Sequence, residues 1–148
     1  MKFDDFDAKM RRFEAALDER APDGAFTMVR LDGRGFTRLT KDVLTFARPF
    51  DIRFHQAMTQ TCEHLMQAGI DMTLCYTQSD EISLLLDGPS LPFGGKTRKL
   101  NSILAGEASA CFSLALGHPA AFDCRVIPLP RAEDVVDYLR WRAEDAMR

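Results

Sequence analysis

The chain has 148 residues, 46% of them hydrophobic and 28% charged, with a formal net charge of −3. That composition describes one globular domain able to bury a core, and excludes a disordered segment. No apolar run approaches the roughly 18 residues of a membrane span, and the N-terminus lacks a signal peptide's apolar segment, so the chain reads as cytoplasmic with no membrane partner. The negative balance argues against a domain that grips nucleic acid by its phosphates, unless one face is locally basic.

Residues 4–19 carry Phe6, Met10, Phe13 and Leu17 at helical spacing and predict an amphipathic helix, broken by Ala21-Pro22-Asp23-Gly24. A buried strand follows over Ala25–Leu31, then Asp32-Gly33-Arg34-Gly35-Phe36, then a loop or short helical turn over Thr37–Thr45. A second helix is expected from about Pro49 to Met66, with Phe50, Phe54, Ala57, Met58, Thr61, Cys62, Leu65 and Met66 along its buried stripe. Asp71–Thr77 and Glu81–Leu86 are short, partly alternating runs joined by a few polar residues, which predicts a β-hairpin. A turn-rich loop covers Asp87–Gly95, a third helix Lys96–Leu116, a fourth strand Ala121–Ile127 and a last helix Ala132–Arg148, the last marked by Val135, Val136, Leu139 and Ala143. The inner order is strand, helix, strand, strand, helix, strand. That is the α+β ferredoxin-like arrangement, βαββαβ, with helices on one face of an antiparallel sheet and extra N- and C-terminal helices.

Two segments carry chemistry. Glycine tolerates positive φ, so Gly33 and Gly35 can aim backbone N–H groups at an anion, and the adjoining Asp32 suits a magnesium–phosphate ligand. Taken alone, the segment reads more readily as an ordinary Asp-Gly turn. Asp80 and Glu81 sit at the hairpin turn, where two acids are as often solvated turn residues. The ferredoxin-like topology places the first and third strands side by side and antiparallel, which brings Asp32 and Asp80 to one sheet edge. Cys62, Cys75, Cys111 and Cys124 show no Cys-x-x-Cys spacing and are expected as buried free thiols; the three histidines fall at no ligand spacing.

The chain resembles the tRNA(His) guanylyltransferase family, including its bacterial and archaeal 3′-to-5′ polymerase-like members. The matching pieces are Arg30-Leu31-Asp32-Gly33-Arg34-Gly35-Phe36, Phe46-Ala47-Arg48-Pro49-Phe50-Asp51, Tyr76-Thr77-Gln78-Ser79-Asp80-Glu81, Phe122-Asp123-Cys124-Arg125-Val126 and Asp137-Tyr138-Leu139-Arg140-Trp141-Arg142. The resemblance implies a single polymerase-like palm over residues 1–148 that acts on tRNA 5′ ends with GTP or ATP as substrates. It implies two Mg²⁺ ions held by Asp32, Asp80 and the Gly33 carbonyl, with Glu81 a further acid of the catalytic set placed one shell out. Nucleotide contacts are implied for Gly33, Arg34, Gly35, Phe36, Thr37, Arg48, Ser79, Lys96 and Lys99. Family members continue beyond the segment matched at Arg148, so the family's C-terminal region, which helps shape the tRNA site and the homo-oligomer, is expected to be lacking. Two alternatives stand beside this reading. One is a non-catalytic nucleotide- or RNA-binding module, or an inactive truncated relative. The other, a nucleotide cyclase, is disfavoured because its Gly-Gly-Asp/Glu-Glu-Phe hairpin is replaced by Gln78-Ser79-Asp80-Glu81-Ile82.

Overall fold

A computed structural model describes residues 1–87 and 91–148. In chain order the elements are α1 (Phe3–Glu14), β1 (Phe26–Gly33), α2 (Phe36–Arg38, continued by a π turn over Leu39–Val43), α3 (Ile52–Met66), β2 (Met72–Gln78), β3 (Glu81–Leu86), a 3₁₀ turn (Pro92–Gly95), α4 (Thr97–Leu116), β4 (Phe122–Leu129) and α5 (Ala132–Ala146). The predicted loop over Asp87–Gly95 includes residues 88–90, which lie outside the described residues; its end forms the 3₁₀ turn. The sheet order is β2-β3-β1-β4, with each neighbouring pair antiparallel. The predicted ferredoxin-like strand order and the hairpin are both present.

Directly paired residues share a face, so the register sorts the sheet into two surfaces. One carries Val29, Leu31, Ile82, Leu84 and Phe122 and packs on α3 and α4 through Ala57, Met58, Leu65, Leu100, Leu104, Ala108 and Phe112. The other carries Met28, Arg30, Asp32, Glu81, Ser83, Asp123 and Arg125. Here the expectation of helices on one face alone needs correction. α5 crosses this second surface, where Val135 and Tyr138 pack against Met28. Covered on both sides, β1 is buried continuously from Thr27 to Leu31, as a central strand should be.

Three local expectations shift. α3 starts at Ile52 rather than Pro49, because the Asp51 carboxylate caps it by accepting the Arg53 N–H (2.9 Å). β4 runs on through Pro128, which an edge strand tolerates because one side needs no donor. The buried stripe of α5 is Val135, Tyr138 and Arg142; Val136, expected on it, is 66% exposed.

α1 departs furthest. It ends at Glu14, because the chain beyond it is captured by the start of α4: Ala21 N–H donates to the Gly95 carbonyl (2.9 Å), Thr97 N–H to the Glu19 carbonyl (3.0 Å), and Arg98 pairs with Asp18. Its apolar stripe buries nothing; Phe6 is 49% exposed, Phe13 67% and Leu17 93%. The four cysteines are free and partly buried.

Candidate active site

The site forms where β1 ends against the hairpin turn. Gly33 N–H donates to the Asp80 carbonyl (2.9 Å) and Arg34 N–H to the Ala121 carbonyl (2.8 Å), so the end of β1 is stitched to the hairpin tip on one side and to the entry of β4 on the other. The two glycines serve different needs. A Cβ at Gly33 would lie 2.6 Å from the Phe36 ring, which is buried against Phe54, Phe112 and Phe122. Gly35 takes φ +64°, the left-handed turn that reverses the chain into α2.

Asp32 pairs with Glu81 on one neighbouring strand and with Asp123 on the other. Three acids therefore stand in a row on one face, with strands roughly 4.8 Å apart, and Asp80 adjoins them from the turn. Burial raises the Asp80 carboxyl above the ordinary carboxylate range; its own backbone N–H opposes the rise, and the charges of Asp32, Glu81 and Asp123 add to it. Asp32 is partly neutralised, accepting from Arg30 Nε (3.2 Å) and lying 3.6 Å from Arg125 Nη2. Glu81 is committed elsewhere. Arg142 of α5 grips it with Nε and Nη2, each at 2.9 Å, and Gln78 Nε2 donates to it at 3.3 Å. Trp141 lies under both guanidinium groups, 4.2 Å from Arg142 and 5.9 Å from Arg30.

Beside Asp80 opens a groove of ≈ 540 Å³. Ser79, Thr37 and Arg48 border it, and Phe46, Phe50, Phe54 and His55 make an aromatic wall. Asp51 buttresses this wall: it accepts from Arg53 and from Ala47 N–H (2.8 Å), and the Arg53 hydrogen bond holds its carboxyl far below the ordinary range.

Of the residues expected from sequence, the fold brings together Asp32, Gly33, Asp80, Ser79, Phe36, Thr37 and Arg48. Phe36 contributes its backbone, since its ring is core. The expected cradle of amides narrows, because those of Gly33 and Arg34 are spent in the sheet; Gly35 to Thr37 remain, at a helix start that leaves N–H groups without partners. Arg34 points its side chain into a different groove, described below. Glu81 is a buried ion-pair partner that does not itself line the groove beside Asp80; Gln78, which does, donates to it. Lys96 and Lys99 are not at the site: α4 begins at the sheet end where β3 finishes and needs all 20 residues, roughly 30 Å of helix, to return to the edge where β4 starts. Lys96 instead lies 3.8 Å from Asp18.

Sequence reading left Asp123, Arg30, Arg125 and Arg142 without roles. The alternation Arg30-x-Asp32 and Asp123-x-Arg125 was visible, but which face each pair shares depends on register. Among the described residues, no three His, Cys, Asp or Glu side chains are arranged as a ready metal cage. A pair of aspartates beside this groove still fits Mg²⁺, which takes one or two carboxylates and completes its shell with phosphate and water oxygens. Burial is the main cause of the raised Asp80 carboxyl, and a cation would relieve the repulsion by Asp32, Glu81 and Asp123 that adds to it.

An antiparallel palm-type α+β domain, with acids clustered beside a groove of nucleotide size, is the class that this fold and site define. A family model described as tRNAHis guanylyltransferase matches residues 7–130, and the chain belongs to that family. The probable tRNA(His) guanylyltransferase of Homo sapiens is 31% identical over 145 residues, covering 92% of this chain and 48% of the relative. The chain spans about half the length of such relatives. A bacterial tRNA(His) guanylyltransferase (Thg1)-like protein in complex with GTP superposes with a TM-score of 0.88 at 33% identity, covering 96% of this chain and 66% of that one. Its complex with ATP gives 0.87 at 32% identity, covering 95% and 66%.

Proposed function

We propose that this domain is a Mg²⁺-dependent nucleotidyltransferase that takes GTP or ATP and extends tRNA 5′ ends in the 3′-to-5′ direction. The observation that supports the reading is the Gly33 N–H bond to the Asp80 carbonyl, which sets Asp32 and Asp80, 48 positions apart in the chain, next to each other at the end of β1, with Asp80 bordering the aromatic-walled groove. Asp32 and Asp80, with the Gly33 carbonyl, would hold magnesium, which when bound draws charge from the phosphates and activates the attacking hydroxyl. The chain's own groups do the rest. The Gly35–Thr37 amides receive phosphate oxygens, the Ser79 hydroxyl and the Arg48 guanidinium border the triphosphate, and the phenylalanine wall offers a face on which a purine stacks. Arg30 and Arg125 hold Asp32 in place and balance its charge. Arg142 holds Glu81, and with it the root of the hairpin that carries Asp80, so Glu81 acts as a positioning residue.

Four free thiols support a cytoplasmic setting, and no helix among the described residues is long and apolar enough to cross a membrane. A homo-oligomer is part of the same reading. Phe3, Phe6, Met10 and Phe13 follow the 3-4-3 spacing of a two-helix seam, and the acidic start of α1 (Asp4, Asp5, Asp7) matches the basic stretch (Lys9, Arg11, Arg12) of an antiparallel second copy.

The test is incubation with Mg²⁺, GTP and a 5′-triphosphorylated tRNA lacking its first nucleotide. Extension by one or more nucleotides is expected, falling at least 100-fold in Asp32→Ala and in Asp80→Ala while both remain folded. Extension that survives either change refutes the metal assignment. GTP binding without extension would favour the non-catalytic module, a reading to which the arginine pairing of Asp32 lends some support.

A further inference from the structure

A second groove, ≈ 740 Å³, lies on the far side of the short helical wall that begins at Phe36. Thr37 and Thr40 border the first groove, whereas Arg34, Arg38, Leu39 and Val43 border the second. Its lining holds three potential cations, Arg34, Arg38 and His118, and no aspartate or glutamate. Asp42, on the same turn, lies outside the lining. Arg34 and Arg38 are exposed and, like Arg12, Arg20, Arg48 and Arg148, have no acidic partner among the described residues; of these six, Arg34 and Arg38 line one groove together. A chain of net charge −3 thus leaves two arginines uncompensated in one concavity. The Ser109 hydroxyl, also in the lining, accepts from Phe122 N–H (2.9 Å) and keeps its own proton to donate.

We propose that this groove seats the phosphodiester backbone of an RNA strand whose 5′ end reaches Asp32 and Asp80; the inference rests on the function proposed above. Location supports it, since Arg34 stands two residues beyond Asp32, roughly 7 Å along an extended backbone. Chemistry separates the two grooves. The first has a wall of phenylalanine rings on which a base can stack; the second has no phenylalanine and one aromatic ring, His118, with Nδ1 2.8 Å from the Pro119 carbonyl. Paired guanidinium groups without an aromatic wall recognise phosphates and leave sequence unread. The groove is therefore a backbone track rather than a second nucleotide pocket. It also supplies the locally basic face that the overall charge conceals.

The experiment measures anisotropy of a fluorescein-labelled RNA hairpin with a 12-base-pair stem, titrated with the whole chain between 50 and 200 mM KCl, alongside GTP affinity by calorimetry. The variants are Arg34→Gln/Arg38→Gln and the conservative Arg34→Lys/Arg38→Lys. The glutamine pair should bind RNA at least 10-fold more weakly at 50 mM KCl. Its plot of log K against log salt should be shallower by roughly 1.4–1.8, at about 0.7–0.9 per lost phosphate contact. The lysine pair should keep most of the affinity, and GTP affinity should stay within twofold in both. RNA affinity and salt slope unchanged in the glutamine pair would overturn the proposal. So would a parallel loss of GTP affinity, or displacement of RNA from this groove by inorganic triphosphate, since either makes it part of the nucleotide site. Absence of GTP binding in the unmodified chain would instead strike the function proposed above, leaving the RNA comparison to be read by itself.

Discussion

Beneath α3 and α4 the sheet presents Val29, Leu31, Ile82 and Leu84, each fully buried; beneath α5 the same strands present Arg30, Asp32, Glu81, Ser83, Asp123 and Arg125. On the first face, cohesion is apolar area and ring packing, with Phe36 and Phe112 5.1 Å apart and each within 5.1–6.2 Å of Phe54 and Phe122. On the second, a small apolar cluster of Met28, Val135 and Tyr138 is joined by ion pairs, and two buried hydroxyls, Ser83 Oγ and Tyr138 Oη, have no protein partner. Such polar interiors add little net stability while holding groups in fixed places. The contrast separates a largely apolar face from one that carries the charges of the candidate site.

The comparison breaks most readily through the apolar face. Phe112→Ala should cost about 3–5 kcal/mol, read as a lower urea midpoint, and no second substitution on that face should restore it. On the charged face, Arg142→Ala should cost a similar 3–5 kcal/mol, because Glu81 is left buried and unpaired. There the loss should be reversible: Glu81→Leu/Arg142→Met should recover most of the stability in the same denaturation assay. A double variant as unstable as the single one would show that the pair is a net stabilising contact and would erase the distinction between the faces.

The smallest effect sharpens it. Asp80 has a folded-state pKa held above its unfolded value of 3.8 by burial and by the neighbouring acids. The folded state therefore binds the proton more tightly, and stability falls as pH rises from the unfolded value through the raised one. Asp80→Asn should raise Tm at pH 7 by up to about 3 °C. The gain should shrink as pH drops and vanish once pH is below about 3.8. Calorimetric scans across pH 3–7 check this; a lowered Tm at pH 7 would mean that the acid cluster is not under repulsive strain.

Much of this was legible in the sequence, and unevenly. Partial strand alternation and the few polar residues between two short runs located the hairpin, and topology alone brought Asp80 beside Asp32. The roles of Glu81 and Asp123 were not legible, because a one-residue change of register would turn each to the other face, and that of Arg142 depends on where α5 crosses the sheet. Lys96 and Lys99 misled for a related reason. Basic residues at a helix start suit phosphate only if that end of the helix lies at the site, and the 20-residue α4 starts at the other end of the sheet. In α1 the helical period was correct and burial did not follow, since period reports an apolar stripe and not what covers it. Gly33 and Gly35 read alike as turn glycines, yet one is required by the Phe36 ring and the other by its φ.

That Asp32 and Asp80 jointly hold a divalent cation against a nucleotide is tested most directly by Mn²⁺ titration, followed by electron paramagnetic resonance with GTP present. Binding is expected in the unmodified chain, weakened at least 10-fold in Asp32→Asn and equally in Asp80→Asn, with GTP still retained by the groove. Mn²⁺ affinity indifferent to both substitutions would contradict the shared site.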